Sequence, residues 1–316
     1  MALAPEPADI LRFAADQIVA GSRVALATLV GITGSSSRAL GSQMAITERG
    51  DVCGSLSSGC VDAAVIAEAR SAIANGSVRK VRFGEGSPYI DVRLPCGAGL
   101  DLLFTPITDP TPLAACLQAL AERRYTSLWL ASLSACKTDA ATNTSITFSP
   151  RLRIAALGMG DELLAMVRIS ATFGAEVYAV TPDQEITENL RAANAAVIET
   201  LTTSFVLPEL GDRWTAFVSL LHDRDWEMVL LPQMLRQDGF YHGAIGNIHN
   251  QALRKAALAA GGLAAADLVR LRGSIGLIPA TRDPATLALS ICAEVVSEYR
   301  RICQPPLLSN AAMASP

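Results

Sequence analysis

Leu152-Arg153-Ile154-Ala155-Ala156-Leu157, followed by Gly158-Met159-Gly160-Asp161-Glu162-Leu163, decides the fold of the second half of this chain. The first six residues read as a buried strand, the glycines as a tight turn, and the stretch to about Phe173 as a helix. Gly174 ends that helix, and Glu176-Val177-Tyr178-Ala179-Val180 reads as the next strand. Strand, glycine turn, helix, strand is the order of a Rossmann fold. Further strands are expected at 195–198, 215–221 and 240–245, so the second half is predicted to be a doubly wound parallel sheet. The turn itself is incomplete as a dinucleotide fingerprint. Gly158 and Gly160 fill the first two glycine positions, but Leu163 stands at the third, where a small residue lets helix and strand approach. The second strand ends in Thr181-Pro182-Asp183, so no acid stands at its tip for a ribose hydroxyl unless Asp183 swings in. NAD(P) is therefore not the expected ligand.

Working back from Pro150, the first half reads differently. Residues 8–20 form an amphipathic helix, Arg23 to Val30 a buried strand, and Met44-Ala45-Ile46-Thr47 with Val52-Cys53-Gly54-Ser55-Leu56 a hairpin around a polar, glycine-containing turn. Val61 to Ala69 suits a helix that stops near Asn75-Gly76. Strands are expected near Val78–Phe83 and Leu100–Phe104. Pro106, Pro110 and Pro112 close this unit. Residues 1–110 are read as one α/β domain, 111–150 as a bridging segment with a helix and one or two strands, and 151–316 as the Rossmann-like domain.

The 316 residues are 50% hydrophobic and 18% charged, enough for a large core in a soluble globular protein. Charges or glycines interrupt every apolar run, so no membrane span is expected. The N-terminus lacks a basic segment and an unbroken apolar core, so no signal peptide is expected. An odd number of cysteines, seven, fits reduced thiols and a cytoplasmic setting. A net charge of −4 without a basic face gives no sign of nucleic-acid binding.

Two cysteine-bearing segments carry the chemistry, Ser57-Ser58-Gly59-Cys60-Val61-Asp62 and Pro95-Cys96-Gly97-Ala98-Gly99. Cys60 is expected at or near a helix N-terminus, where free N–H groups and the dipole favour an anion and lower a thiol pKa. That makes the pair a candidate ligand site. The alternative reading is two small apolar thiols in serine-glycine turns. No C-x-x-C and no nearby histidine supports a structural zinc site. In the second half, His222-Asp223 and Tyr241-His242-Gly243 with Gly246-Asn247 fall at carboxyl ends of predicted strands, where open α/β sheets bind ligands. The competing readings are a strand-end turn with a local hydrogen bond at His222-Asp223 and a tight turn with a buried tyrosine at Tyr241. Arg270 and Arg272 either hold a phosphate or pair with acids.

Gly34-Ser35-Ser36-Ser37-Arg38, Gly41-Ser42-Gln43-Met44, the Cys60 segment and Pro95-Cys96-Gly97-Ala98-Gly99-Leu100-Asp101 together resemble the N-terminal domain of the XdhC/CoxI family. This family comprises maturation factors of molybdenum hydroxylases such as xanthine dehydrogenase and aldehyde oxidoreductases. The glycine turn, Leu221-His222-Asp223, Tyr241 to Asn247 and Arg270 to Leu277 resemble the family's Rossmann domain. The resemblance implies a non-enzymatic chaperone that binds molybdenum cofactor in its mononucleotide or cytidine dinucleotide form. It also implies that the chaperone protects the cofactor, supports its sulfuration with a cysteine desulfurase, and delivers it to an apo molybdenum hydroxylase. A homodimer is a further expectation. Cys60 and Cys96 would approach the molybdenum or its terminal sulfur, Cys60 being the candidate metal contact. Gly59 and Gly97 would leave backbone N–H groups bare, and Ser35, Ser36, Arg38 and Ser57 would bind phosphate or pterin edges. Gly158, Gly160, His222, Asp223, Tyr241 and Gly246 are the candidates in the second half. Departures from the family pattern are Ser37, Ser58, Ala98 and Leu163. Two other classes remain open, an NAD(P)-dependent oxidoreductase and a docking protein that binds no cofactor.

Overall fold

The computed structural model describes residues 5–57, 59, 61–87, 97–136, 143–199, 202, 204–303 and 309–310. The chain divides into two compact units, one spanning 4–150 and the other 151–303.

In the first unit, Pro7–Val19 (α1) starts at a capping box in which the Glu6 N–H donates to Asp9 at 3.0 Å. It leads into the central strand Val24–Thr33 (β1). Gln43–Thr47 (β2), Val52–Gly54 (β3), Arg79–Gly84 (β4) and Gly99–Pro106 (β5) complete an antiparallel sheet in the order β3-β2-β1-β5-β4. Both faces of β1 are covered, which is why it reads as a continuous apolar run rather than an alternating one. Ala25, Ala27 and Leu29 pack with Asp62–Asn75 (α2) through Val65, Ala69 and Ile73. Val24 and Leu26 face Leu11 and Ala14 of α1. Helix α2 stops at Gly76, which is left-handed at φ 61° and returns its N–H to the last turn.

Residues 111–150, expected as a bridge, share this core. Thr111–Ala121 (α3), Thr126–Trp129 (β6), a 3-10 turn at Leu130–Leu133 and Thr144–Phe148 (β7) place Leu113, Leu128, Leu133, Ile146 and Phe148 against α1 and β1. Burial of those side chains makes the segment part of the first unit rather than a connector. Ser309–Asn310 (β14) pairs antiparallel with β7, so the chain beyond the second unit contributes to the three-stranded sheet β14-β7-β6.

The second unit is a six-stranded parallel sheet, ordered β10-β9-β8-β11-β12-β13. The strands are Arg153–Leu157 (β8), Glu176–Thr181 (β9), Ala196–Glu199 (β10), Thr215–Ser219 (β11), Tyr241–Ala244 (β12) and Leu271–Gly273 (β13). Strand order reverses between β8 and β11, the Rossmann switch point. Its helices are Gly160–Thr172 (α4), Thr187–Ala192 (α5), Arg224–Arg236 (α6), Ile248–Ala260 (α7), Ala265–Arg270 (α8) and Pro284–Ile302 (α9). One face packs on α4 and α9 through Leu163, Val167, Ile291 and Val295. The other packs on α6 and α7 through Leu230, Met234 and Leu258. Leu163 is fully buried between helix and sheet, so the position that small residues fill in a dinucleotide fingerprint is here an apolar core position. Among the described residues no helix is long and apolar enough to cross a membrane.

Candidate functional site

The first unit gathers its motif residues by strand direction. Strands β1, β3 and β4 run one way and β2 and β5 the other, so the carboxyl ends of β1, β3 and β4, at Thr33, Gly54 and Gly84, lie at one edge of the sheet with the start of β5 at Gly99. One side chain ties these strand ends together. The Arg82 guanidinium donates to the Glu85 carbonyl at 2.6 Å, to Asp101 at 3.1 Å and to the Thr33 hydroxyl at 2.9 Å. It fills the space beside Gly99 where any Cβ would stand, which is why that strand begins with glycine. Gly34 comes within 3.5 Å of the Ala98 backbone, measured from where its Cβ would be, so the Ser35-Ser36 turn lies against the Gly97 turn.

Gly59 and Gly97 both adopt positive φ, 97° and 67°, with open space at their missing side chains, so their backbones are bare. Ser57 is buried. Its hydroxyl donates to Asp62 at 3.0 Å and accepts from the Gly59 N–H at 3.1 Å, so it shapes the turn. Asp62 places a carboxylate in the first turn of α2, a charge that any anion at that helix end would have to share. The Ser36 hydroxyl accepts the Arg38 N–H at 3.1 Å. Arg38 is exposed and forms no ion pair among the described residues. Cys60, Cys96 and Ser58 lie outside the described residues.

The second unit places its candidates at the carboxyl edge of the parallel sheet but does not bring them all to one surface. At the glycine turn, the Gly160 N–H donates to the Asp183 carboxylate at 3.2 Å. Asp183 does swing in, but onto the helix terminus where a pyrophosphate would sit, not towards a ribose. Gly158 is buried beside Leu220. Asp223 is the N-cap of α6, accepting from the N–H groups of Asp225 at 2.8 Å and Trp226 at 3.2 Å. Tyr241 is only 1% exposed. Its hydroxyl donates to Glu294 at 3.0 Å, and burial together with that carboxylate raises its pKa. His242 is buried and stacked on Phe217, with centroids 5.2 Å apart, and burial followed by the nearby Arg270 charge pushes its pKa down to about 4. Arg270 spends its guanidinium on the Leu235 and Gln237 carbonyls at 2.7 and 2.8 Å. Arg272 lies over the Tyr241 ring and reaches Glu298 at 3.4 Å. These side chains hold the strand ends together.

His222 and Gly246, by contrast, line a cavity of about 880 Å³ at the ends of β11, β12 and β13. Asn247, His249 and Ser274 add polar groups, and Leu277 and Ile278 supply an exposed apolar rim. His222 is 69% exposed, with Nε2 3.8 Å from Glu162. The role of the 274–281 loop was not legible in the sequence. Its signals are the family resemblance over Arg270 to Leu277 and the apolar run Ile275-Gly276-Leu277-Ile278-Pro279 outside any predicted strand or helix. Among the described residues no group of three histidine, cysteine or acidic side chains is arranged to hold a metal.

A chain that joins an antiparallel α/β unit with glycine-serine loops at one edge to a Rossmann unit whose glycine turn is self-capped falls in a distinct class of two-unit proteins. Residues 18–84 match the XdhC and CoxI family, and residues 154–295 match the XdhC Rossmann domain. The Escherichia coli (strain K12) molybdenum cofactor insertion chaperone PaoD is 33% identical over 310 residues, covering 94% of this chain and 91% of PaoD. This chain belongs to the XdhC and CoxI family. A solved structure from Bacillus halodurans, described as a xanthine dehydrogenase, superposes with a TM-score of 0.72 at 17% identity, covering 93% of this chain and 96% of that one. That likeness is one of fold.

Proposed function

We propose that this chain is a molybdenum-cofactor chaperone, a maturation factor without turnover of its own. On this reading it binds the cofactor, protects it, supports its sulfuration with a cysteine desulfurase and hands it to an apo molybdenum hydroxylase in the cytoplasm. The observation that carries the proposal is the 33% identity to PaoD over 94% of the chain, which spans both units and not merely a shared Rossmann sheet.

The chemistry of the first unit's motif edge supports it. Molybdenum in a dithiolene is soft and suits thiolate ligands, which is the role we assign to Cys60 and Cys96. The cofactor's phosphate is an anion, and the exposed Arg38 is a cation without an acid partner among the described residues. The bare backbones at Gly59 and Gly97 admit a flat pterin close to the main chain. Ser35 and Ser36 sit on the adjoining turn, while Ser57 orients the loop through Asp62 and Gly59. Bound cargo would supply the redox-active metal and its sulfur; the chain supplies position and exclusion of water. In the second unit, the Asp183 carboxylate on the Gly160 amide weighs against a dinucleotide there, since a pyrophosphate would have to displace a like charge. A homodimer is part of the same reading.

The test is retention of cofactor. Protein purified anaerobically after loading is assayed for molybdenum by mass spectrometry and for released pterin by fluorescence. Cys60→Ala is expected to lower both at least about tenfold and Cys96→Ala by less, a tenfold loss being about 1.4 kcal/mol of binding. Wild-type retention in both variants would remove the thiol mechanism.

A further inference from the structure

The cavity of the second unit has a wall built against conformational preference. Ser274 and Ala280 are left-handed, at φ 54° and 55°, although neither is glycine. Such a conformation is costly for a residue with a Cβ and persists only where its surroundings hold it. The surroundings do hold this loop. The Ser274 hydroxyl donates to the Gly246 carbonyl at 3.0 Å, and the Ser290 hydroxyl on α9 accepts the Ile278 N–H at 2.7 Å. The Gly276 N–H donates to Glu294, the acid that also receives Tyr241. The loop is therefore pinned to two neighbouring elements before any ligand arrives.

The chemistry of the wall selects an anion with an apolar body. None of the lining residues is acidic; two carboxylates touch the lining and both are engaged, Glu294 by the Gly276 N–H and the Tyr241 hydroxyl, and Glu162 beside His222. Helix α7, thirteen residues long, points its N-terminus into the cavity through Asn247, Ile248 and His249. The Asn247 side chain satisfies the Asn250 N–H at 2.8 Å, whereas the first two helical N–H groups, on Ile248 and His249, find no acceptor within the helix. An independent observation lies directly beneath. Arg254 is 5% exposed, and it uses Nε and Nη2 on Glu227 and Nη2 again on the Ile245 carbonyl at 2.8 Å. Its Nη1 is buried with no hydrogen-bond partner and stands 3.6 Å from the place a Cβ on Gly246 would occupy. Gly246, at φ 130°, is in a conformation that side-chain-bearing residues rarely adopt; it lines the cavity and puts no Cβ between it and this guanidinium.

We propose that this cavity binds a phosphomonoester. Its phosphate rests on the Ile248 and His249 amides between His222 and His249 with the buried Arg254 behind, and its organic body lies against Leu277, Ile278 and Leu287. A volume of about 880 Å³ admits a ligand of nucleoside-monophosphate size. The site stands apart from the thiol reading, since none of its residues belongs to the first unit. Two sources carry this chemistry, a free nucleoside monophosphate and the phosphate arm of the proposed cargo.

Isothermal titration of the full-length protein with cytidine monophosphate, adenosine monophosphate and inorganic phosphate tests it, with Ile248→Glu and Ile248→Ala as variants. Ile248 is 82% exposed at the first helical position, where a carboxylate suits the helix dipole. Ile248→Glu is therefore expected to keep its thermal midpoint while weakening mononucleotide binding at least about tenfold, and Ile248→Ala to bind within about threefold of wild type. Wild-type protein that binds none of the three probes, or Ile248→Glu that binds them unchanged, would overturn the proposal. Repeating the cytidine monophosphate titration on cofactor-loaded protein separates the sources: blocked binding assigns the site to the cargo's phosphate, undiminished binding to a free nucleotide. Loss of cofactor in Cys60→Ala with mononucleotide binding intact would bear on the thiol site alone.

Discussion

Acidification offers a direct measurement of what His242 does. The motif Tyr241-His242-Gly243 stands at the carboxyl edge of the sheet, yet the imidazole is buried, stacked on Phe217 and in contact with Arg270 at 3.3 Å. Its pKa is about 4 when folded, against about 6.5 in an unfolded chain. The unfolded state therefore takes up a proton between pH 6.5 and 4 that the folded state refuses. The sign follows: the stability associated with neutral His242 is fully present above pH 6.5 and is lost as the pH falls through the window towards 4. The separation of the two values, about 2.5 units, corresponds to about 3 kcal/mol at its limit, and about 2 kcal/mol is already lost by pH 5. Carboxylates elsewhere also titrate, so the measurement is a difference between wild type and His242→Phe. Phenylalanine keeps the stack on Phe217 and removes the titrating site, at a pH-independent cost of about 1 kcal/mol for the lost hydrogen bond. Urea unfolding followed by tryptophan fluorescence reports this unit through the buried Trp214. The wild-type curve is expected to fall towards the variant's below pH 7, to cross it a little below pH 6, and to lie about 1 kcal/mol beneath it at pH 5. Parallel curves across that range would refute the argument.

Arg82→Ala removes the tie among Thr33, Glu85 and Asp101 and is expected to cost about 2 kcal/mol, seen as a lower urea midpoint, with reduced cofactor retention because the Gly97 turn loses its support. Unchanged retention in a folded Arg82→Ala would show that this edge of the sheet does not hold cargo. Because the Asp183 carboxylate occupies the Gly160 amide, NADH titration is expected to give no saturable fluorescence change. Micromolar binding would instead revive the oxidoreductase reading.

Much of this architecture is written locally. Apolar runs, a glycine after α2 and the glycine turn before α4 are short-range signals, so the Rossmann order, the hairpin and the position of α2 could be read from neighbours in sequence alone. The family resemblance was equally legible, because it resides in residue identity and order. What only the tertiary structure decided are relations between distant residues. Residues 111–150 read as a bridge because no local pattern reveals that Leu113, Leu128 and Ile146 complete the core of α1 and β1. Tyr241 and His222 look alike as strand-end candidates, but one turns into the core to meet Glu294, fifty-three residues on, and the other faces a cavity. Asp183, which in sequence stands past the strand tip, swings in and lands on Gly160, and the burial of Arg254 against Glu227 and beside Gly246 has no sequence signal. The physical reason is common to all of them: chain-local energetics decide which element forms, while side-chain direction and partner choice depend on which surfaces the packed sheet brings within a few ångströms of one another.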